Sequence, residues 1–421
     1  MARQISRTNS LPEKAFDGLL EVKRGQLKTF DVSLALLKDE QDTTPLPANA
    51  SKRIRRKVDW HLLPLLCLIY TIQWVDKNNI SSASILGLLS DNHLTASEFN
   101  TTASAFYIGY LVFQWPQNWA LQRFPVGKCM TGLHAVCHDF AGLFVLRFLL
   151  GPCEACTNPA LVLVCSMFYT RKEVSERIGW TFQCNGIAQI ISGFIQFGLV
   201  HAPAHRGLAQ WQWFMLTLTM ATFITALLFL FFFPDNPTTA WFLSHEERIL
   251  AVRRVRENQN GIETKVFKKY QIVEALTDPK CWTYFLLMSF VFVAGGIGTQ
   301  YSLIIESFGF TQLQTTLLGI PSGAAQIIGI LAACYILRLF PNSRGWIAMI
   351  CYVPLIVASF MQICIPLENE VVHLIAIYIE YLGVQPSVVI VMSWVASNTS
   401  GHTKVLDYFL HNVILTNVPH S

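Results

Sequence analysis

Long apolar runs alternate along this chain with short polar or charged stretches. A helix needs about 20 mostly apolar residues to cross the hydrocarbon core of a bilayer. Runs near 60–80, 101–123, 140–169, 177–201, 211–233, 281–305, 313–340, 345–366 and 371–396 meet that requirement. They predict nine transmembrane helices in an all-α membrane protein. A tenth crossing is expected over 126–138, although Gly127–Cys137 supplies only about a dozen usable residues against the ~20 required.

The positions of lysine and arginine make that tenth crossing necessary. Loops that face the cytoplasm carry an excess of both. Lys52, Arg53, Arg55, Arg56 and Lys57 precede the first run and place the N-terminus inside, whereas 81–100 has neither residue type. If 126–138 crosses, then Arg123 and Lys128, the group Arg171, Lys172 and Arg177, the basic stretch within 234–280, and Arg338, Arg344 and Lys404 all fall inside. The outside loops then hold Arg206 alone. If it does not cross, the two largest later clusters move outside and the asymmetry is lost.

Composition agrees. Of the 421 residues 52% are hydrophobic and 14% charged, against about 25% charged in a soluble domain, and no aqueous core would hold the 29 Phe and 11 Trp. A net charge of +4, dispersed along the chain, does not suggest nucleic acid as a partner. Most of the 11 Cys lie within apolar runs, where cysteine behaves as a small hydrophobe, so a disulfide scaffold is excluded. The organisation expected is a disordered cytoplasmic tail over 1–58, a six-helix half over 59–233, a cytoplasmic central loop over 234–280, a second half of four spans over 281–397 and a short tail over 398–421. Within the central loop, Ser244 followed by Glu246, Glu247 and an amphipathic run predicts a capped helix.

Ionisable groups inside a span cost a few kcal/mol, and each is a functional candidate. Asp76 and Lys77 are adjacent near the end of the first run; they either sit at the outer interface or form an acid–base pair facing a central cavity. In the fourth span Arg147 and Glu154 are seven residues apart, two helical turns, and share a face. Arginine keeps its proton, so Arg147 requires a permanent anion: Glu154, Asp76 or a substrate carboxylate. Two acids and two bases are neutral together, and protonating one acid leaves a net positive site that favours an organic anion. A purely structural ion pair is the competing reading. Tyr110, Asn185 and Gln189 lie at suitable depth to hydrogen-bond a substrate or to join helices. Glu306 is expected at the interface, and Glu380 lies mid-span with no partner evident in the sequence. Glycines at 295, 296 and 298, with Pro321 and Gly323, permit bending or close packing. Cys153-x-x-Cys156 resembles a redox or metal pair but sits in a lipid-depth helix without a second pair, and the spacing of Cys129, His134, Cys137 and His138 fits no standard zinc pattern, so no metal is expected.

Several blocks together resemble the fungal allantoate permease family, anion:cation symporters of the major facilitator superfamily. They are Arg56-Lys57-Val58-Asp59-Trp60, Asp76-Lys77-x-Asn79-Ile80, a block from Phe106 to Pro116-x-Asn118, and Arg147-Phe-Leu-Leu-Gly151-x-x-Glu154. Ser166-Met-Phe-Tyr169-Thr-Arg-Lys-Glu173, Pro234-Asp235-x-Pro237, Phe242-Leu-x-x-Glu246-Glu247-Arg248 and Ser397-Asn398-x-x-Gly401-His402-x-Lys404 complete the set, covering residues 50–404. The resemblance implies two six-helix bundles around a central site, working by alternating access. It implies proton-coupled symport of small organic anions such as allantoate, nicotinate, pantothenate or related carboxylates. It further implies proton coupling through Asp76 and Glu154, and substrate binding or coupling through Arg147. Lys77 stands where arginine is more usual in the family, and Tyr110 matches a tyrosine of the family's second span.

The third span is shorter than the family's, and the last two family helices have no counterpart. The expectation is therefore about ten spans, with an incomplete second half. Arg123-Phe-Pro-Val-Gly127-Lys128 keeps the basic residues of the superfamily's loop after the second span but lacks its acidic partner. The reading that follows is a proton-coupled organic-anion symporter, not an enzyme, monomeric, in the plasma membrane, with no cofactor beyond the coupling proton. The lipid bilayer and a small organic anion are its partners. The alternative is a non-transporting sensor or an inactive truncated remnant of the same fold. A membrane enzyme is disfavoured because no His–carboxylate helical pair stands at mid-membrane.

Overall fold

The computed structural model describes residues 48–121, 140–155, 157–201, 207–234, 237–255, 301–340, 343–366 and 368–398, with scattered positions between 277 and 290. Every regular element among them is helical. Helix α1 (Ala48–Ala83) runs on through a π-helical turn at Ser84–Leu88 to Asp91. It is followed by α2 (Ala96–Leu121), α3 (Phe140–Ala155), α4 (Thr157–Phe168), α5 (Arg171–His201) and α6 (Gln210–Phe232). Then come α7 (His245–Val255) in the central loop, α8 (Tyr301–Ser307), α9 (Gln312–Leu339), α10 (Arg344–Cys364) and α11 (Glu370–Asn398). The expected crossing over 126–138, most of the run 281–305 and the tails 1–47 and 399–421 lie outside the described residues.

Among the described residues α1, α6, α9, α10 and α11 are long and apolar enough to cross a bilayer. Helices α2 and α5 have the length, at 26 and 31 residues, but carry more polar side chains. The run 140–169 forms two helices, α3 and α4, on either side of position 156. From Ala48 to Asp91 the first helix extends about 65 Å at 1.5 Å per residue, about twice the hydrocarbon thickness. Its first turns therefore project beyond the membrane, and these carry the basic cluster from Lys52 to Lys57. Ile54, Val58, Leu62, Leu66 and Tyr70 recur every fourth residue, so they form one buried stripe against α4 and α5.

Helix α5 is the hub, packed on α1, α9 and α11. Gly179, Gly186 and Gly193 recur every seventh residue on its α9 face. A Cβ at Gly186 would stand 2.6 Å from the Gly323 carbonyl, and one at Gly193 3.0 Å from that of Thr316. Of the two roles the sequence leaves open for Gly323, close packing is the one observed. The α2–α3 crossing is tighter still: Gly109 lies under the Phe148 carbonyl and Gly151 under that of Phe106. Large apolar side chains stand exposed on α6 (Phe223, Phe231) and α10 (Ile350, Phe360), where lipid tails would cover them.

The predicted cap of the central-loop helix is present. Ser244 Oγ accepts from the Glu247 amide at 3.3 Å, and the Glu247 carboxylate accepts from the Ser244 amide at 3.1 Å. Lys57 Nζ donates to both oxygens of that same carboxylate, at 2.6 and 2.7 Å, and so ties α7 to α1. Arg254 pairs with Glu173, and Arg177 holds Asp59 through a fork of 2.6 and 3.1 Å. His61 stacks on Phe242 with ring centroids 4.6 Å apart. The Lys57 hydrogen bond holds Glu247 below the usual carboxylate range. The ionised form is thus favoured in the docked state, so the docking contributes above the unfolded-state pKa of about 4.3 and is lost as pH falls through the lower docked value. Glu247→Gln is expected to raise amide exchange over 245–255 about threefold at neutral pH, in keeping with a partly solvated ion pair. Hydrogen-exchange mass spectrometry checks this; an unchanged rate would separate α7 docking from the Lys57 contact.

Candidate functional site

Asp76 and Asn79 are three residues apart in α1 and share one face. Asp76 is buried and accepts a hydrogen bond from Thr222 Oγ1 of α6 at 3.0 Å. Arg147 of α3, 2% exposed, donates through Nη2 to Asn79 Oδ1. One buried polar contact thus joins α1 to α3 and another joins α1 to α6. Two turns beyond Arg147, Glu154 is buried, and neither carboxylate oxygen has a hydrogen-bond partner among the described residues. It lies in the electrostatic field of Asp76, Lys77 and Arg147. Lys77 Nζ stands 5.2 Å above the Tyr107 ring of α2, a cation–π distance. The close α2–α3 crossing at Gly151 sets the depth of the Arg147–Glu154 face.

The structure therefore brings Asp76, Lys77, Arg147 and Glu154 into one cluster. The remaining residues singled out in the sequence lie elsewhere. Tyr110 is buried in the α2–α3 contact, against the Phe106 ring and within electrostatic reach of Tyr70. Gln189 lines a second feature, a small cavity of about 20 Å³ between α1, α5 and α9 that no ionisable side chain among the described residues lines. Asn185 is buried one turn before it on α5. Glu306 is exposed at the end of α8. Glu380 has a partner after all: Gln362 of α10 donates to it at 3.1 Å. The side chains of Cys129, His134, Cys137, His138, Cys153 and Cys156 lie outside the described set.

Asn79, Thr222 and Tyr107 were not singled out from the sequence. A signal existed for Asn79, three residues after Asp76 in a membrane-depth helix. Thr222 is one of several hydroxyls in the apolar α6, and only the fold shows which of them meets an acid.

Long apolar helices packed around buried Asp76, Arg147 and Glu154, with half-buried Lys77 beside them, are the architecture of a solute carrier. The chain belongs to the Major Facilitator Superfamily, whose family model matches residues 66–411. It is 34% identical over 373 residues to the thiamine pathway transporter of Saccharomyces cerevisiae, covering 84% of this chain and 69% of that one. To the allantoate permease of the same organism it is 29% identical over 398 residues, covering 89% and 72%. Among solved structures the proton:xylose symporter XylE of E. coli superposes with a TM-score of 0.62 at 11% identity, covering 85% of this chain and 86% of that one, which is a likeness of fold. The protein is accordingly a multi-pass membrane transporter of small molecules, related to the fungal allantoate permease group, and not an enzyme.

Proposed function

We infer that the protein is a proton-coupled symporter of small organic anions that works by alternating access. The observation that carries this reading is the Glu154 carboxylate, buried without a hydrogen bond beside Lys77 and Arg147. With both acids ionised the cluster is neutral. Once one acid takes a proton it carries one net positive charge at a depth where charge is expensive, and an anionic substrate restores neutrality. Proton and anion thus bind together and leave together, which is the thermodynamic condition for symport. Lys77 and Arg147 supply the positive field for the anion; Asp76 and Glu154 carry the proton.

The basic cluster at the start of α1 and the charged contacts around α7 support a cytoplasmic N-terminus, and the membrane is the plasma membrane. The chain acts as a monomer, with the proton its only co-ion. Arg147→Ala removes a permanent positive charge from the cluster. It is expected to reduce uptake of a carboxylate panel, normalised to the amount of folded carrier, at least about 100-fold, in line with a charged-group contact worth about 1.5–3 kcal/mol plus its effect on coupling. Radiotracer uptake into proteoliposomes held acidic outside tests this; uptake at the wild-type rate would overturn the assignment.

A further inference from the structure

We propose that the exposed face of the α1 extension binds the headgroup of a polyphosphorylated inositol lipid in the cytoplasmic leaflet, through Lys52, Arg53 and Arg56 above Trp60. This rests on the cytoplasmic placement of the N-terminus and is independent of the solute carried.

Over its first turns α1 has two opposite faces. Ile54, Val58 and Leu62 are buried against the rest of the bundle. Lys52, Arg56 and Trp60 recur at the same four-residue spacing but start two positions earlier, about 200° around the axis. All three are exposed, Trp60 at 80%. The basic residues between them are engaged: Lys57 is held by Glu247, and Arg55 lies 3.8 Å from Glu173. Neither Lys52 nor Arg56 has an ion-pair or hydrogen-bond partner among the described residues. Arg53 stands 3.4 Å from Glu247, but its side chain is 74% exposed, so it can still meet a ligand. The acid of the same stretch, Asp59, is taken by Arg177. The exposed face therefore presents uncompensated positive charge.

Two tryptophans fix the depth of this face. Trp241, half exposed, packs edge-on against His61, the residue after Trp60, with ring centroids 5.3 Å apart. It donates its indole N–H to the Phe232 carbonyl at 3.1 Å, at the last turn of the apolar α6. Exposed tryptophans beside the end of a membrane helix mark the boundary between hydrocarbon and headgroups. At 1.5 Å per residue Arg56 stands about 6 Å and Lys52 about 12 Å beyond Trp60. The headgroup layer is only about 5–7 Å thick on each side. Arg56 thus lies level with the phosphodiester that every phospholipid carries, whereas Lys52 and Arg53 lie beyond a serine or choline headgroup. A phosphorylated inositol ring projects further and carries phosphomonoesters to that height, so its charge matches the whole face. Arginine can hold such a phosphate through two parallel hydrogen bonds, and lysine as a point charge.

The test measures, by native mass spectrometry of the purified full chain, dissociation constants for dioctanoyl phosphatidylinositol bisphosphate, dioctanoyl phosphatidylserine and free inositol trisphosphate. The wild type is expected to bind the bisphosphorylated lipid at least about tenfold tighter than either of the others. A basic side chain at a charged bilayer surface is worth about fivefold, so Lys52→Gln and Arg56→Gln together lower that affinity at least about tenfold. Arg338→Gln removes an exposed basic side chain at the end of α9 instead and leaves it within about twofold. Thermal unfolding without lipid is expected to match wild type for both variants, since neither breaks a contact among the described residues. Wild-type affinity in the double variant, an equal loss in Arg338→Gln, or phosphatidylserine bound as tightly overturns the site. Inositol trisphosphate bound as tightly as the lipid overturns the membrane as its source, and a wild type that does not bind the lipid overturns the proposal outright.

Discussion

Glu154→Gln is expected to abolish accumulation driven by a proton gradient, by at least about 100-fold, while anion exchange at equal pH continues within about threefold of wild type. Both follow from where the carboxylate sits. Neither of its oxygens meets a well-aligned donor among the described residues, and the interaction with Gln73 of α1 is one that an amide oxygen can also accept, so an amide of the same shape costs little structurally and holds the cluster in the charge state of a protonated acid. The site stays attractive to an anion, and exchange of one anion for another needs no proton to leave. Net transport does need it, since the empty carrier must shed the proton before it returns. Glu154 is the charge whose loss is most easily borne structurally, since Arg147 and Asp76 are each tied by a hydrogen bond to a neighbouring helix. Counterflow and gradient-driven uptake, measured on the same proteoliposomes, separate the two activities. Equal loss of both would mean that Glu154 holds structure or substrate rather than the proton.

Gly151→Leu is expected to destabilise the protein by about 3 kcal/mol or more, at or beyond the upper end of overpacking costs, because a side chain there drives into the Phe106 carbonyl on α2. That carbonyl belongs to a helix and cannot swing aside as a flexible side chain would. The damage reaches the site directly, since Gly151 lies one turn after Arg147 and three residues before Glu154. Gly198→Leu on α5 is the matched control: none of the described residues lies within 4 Å of a Cβ at that position, and the change is expected to be silent. Thermal unfolding of purified protein and recovery of monodisperse material compare the two. Equal stability would mean that the α2–α3 crossing is looser than the structure shows.

The charged half of the site was legible in the sequence because charge at membrane depth is costly and therefore conspicuous. Asp76, Lys77, Arg147 and Glu154 stand out in apolar runs, and the seven-residue spacing of the last pair is enough to place both on one helix face. Uncharged polar groups give no such signal. Thr222 and Asn79 look like ordinary helix hydroxyl and amide groups until the packing of α6 and α3 against α1 shows what they bond. Depth alone gives Gln189 the same standing as Tyr110 and Asn185, whereas the rotation of α5 directs it to a small cavity apart from the charged residues. Depth along a helix can be counted from the sequence; rotation about the axis depends on neighbours. The Gly179, Gly186 and Gly193 heptad is likewise open to reading, but the Cys334 sulfur and the Gly323 and Thr316 carbonyls that demand those glycines belong to α9, more than a hundred residues on. Gln362 pairs with Glu380 across the α10–α11 hairpin, a contact set by the packing angle of two apolar helices rather than by any local pattern.

The central claim is that anion and proton cross together. The most direct test loads purified protein into vesicles containing a pH-sensitive dye, with no initial pH difference, and imposes an inward gradient of an anion shown to bind. The account predicts acidification of the lumen that follows anion entry, requires Arg147 and disappears in Glu154→Gln. Anion entry with no change in internal pH, at a rate that Glu154→Gln leaves unaltered, would contradict it.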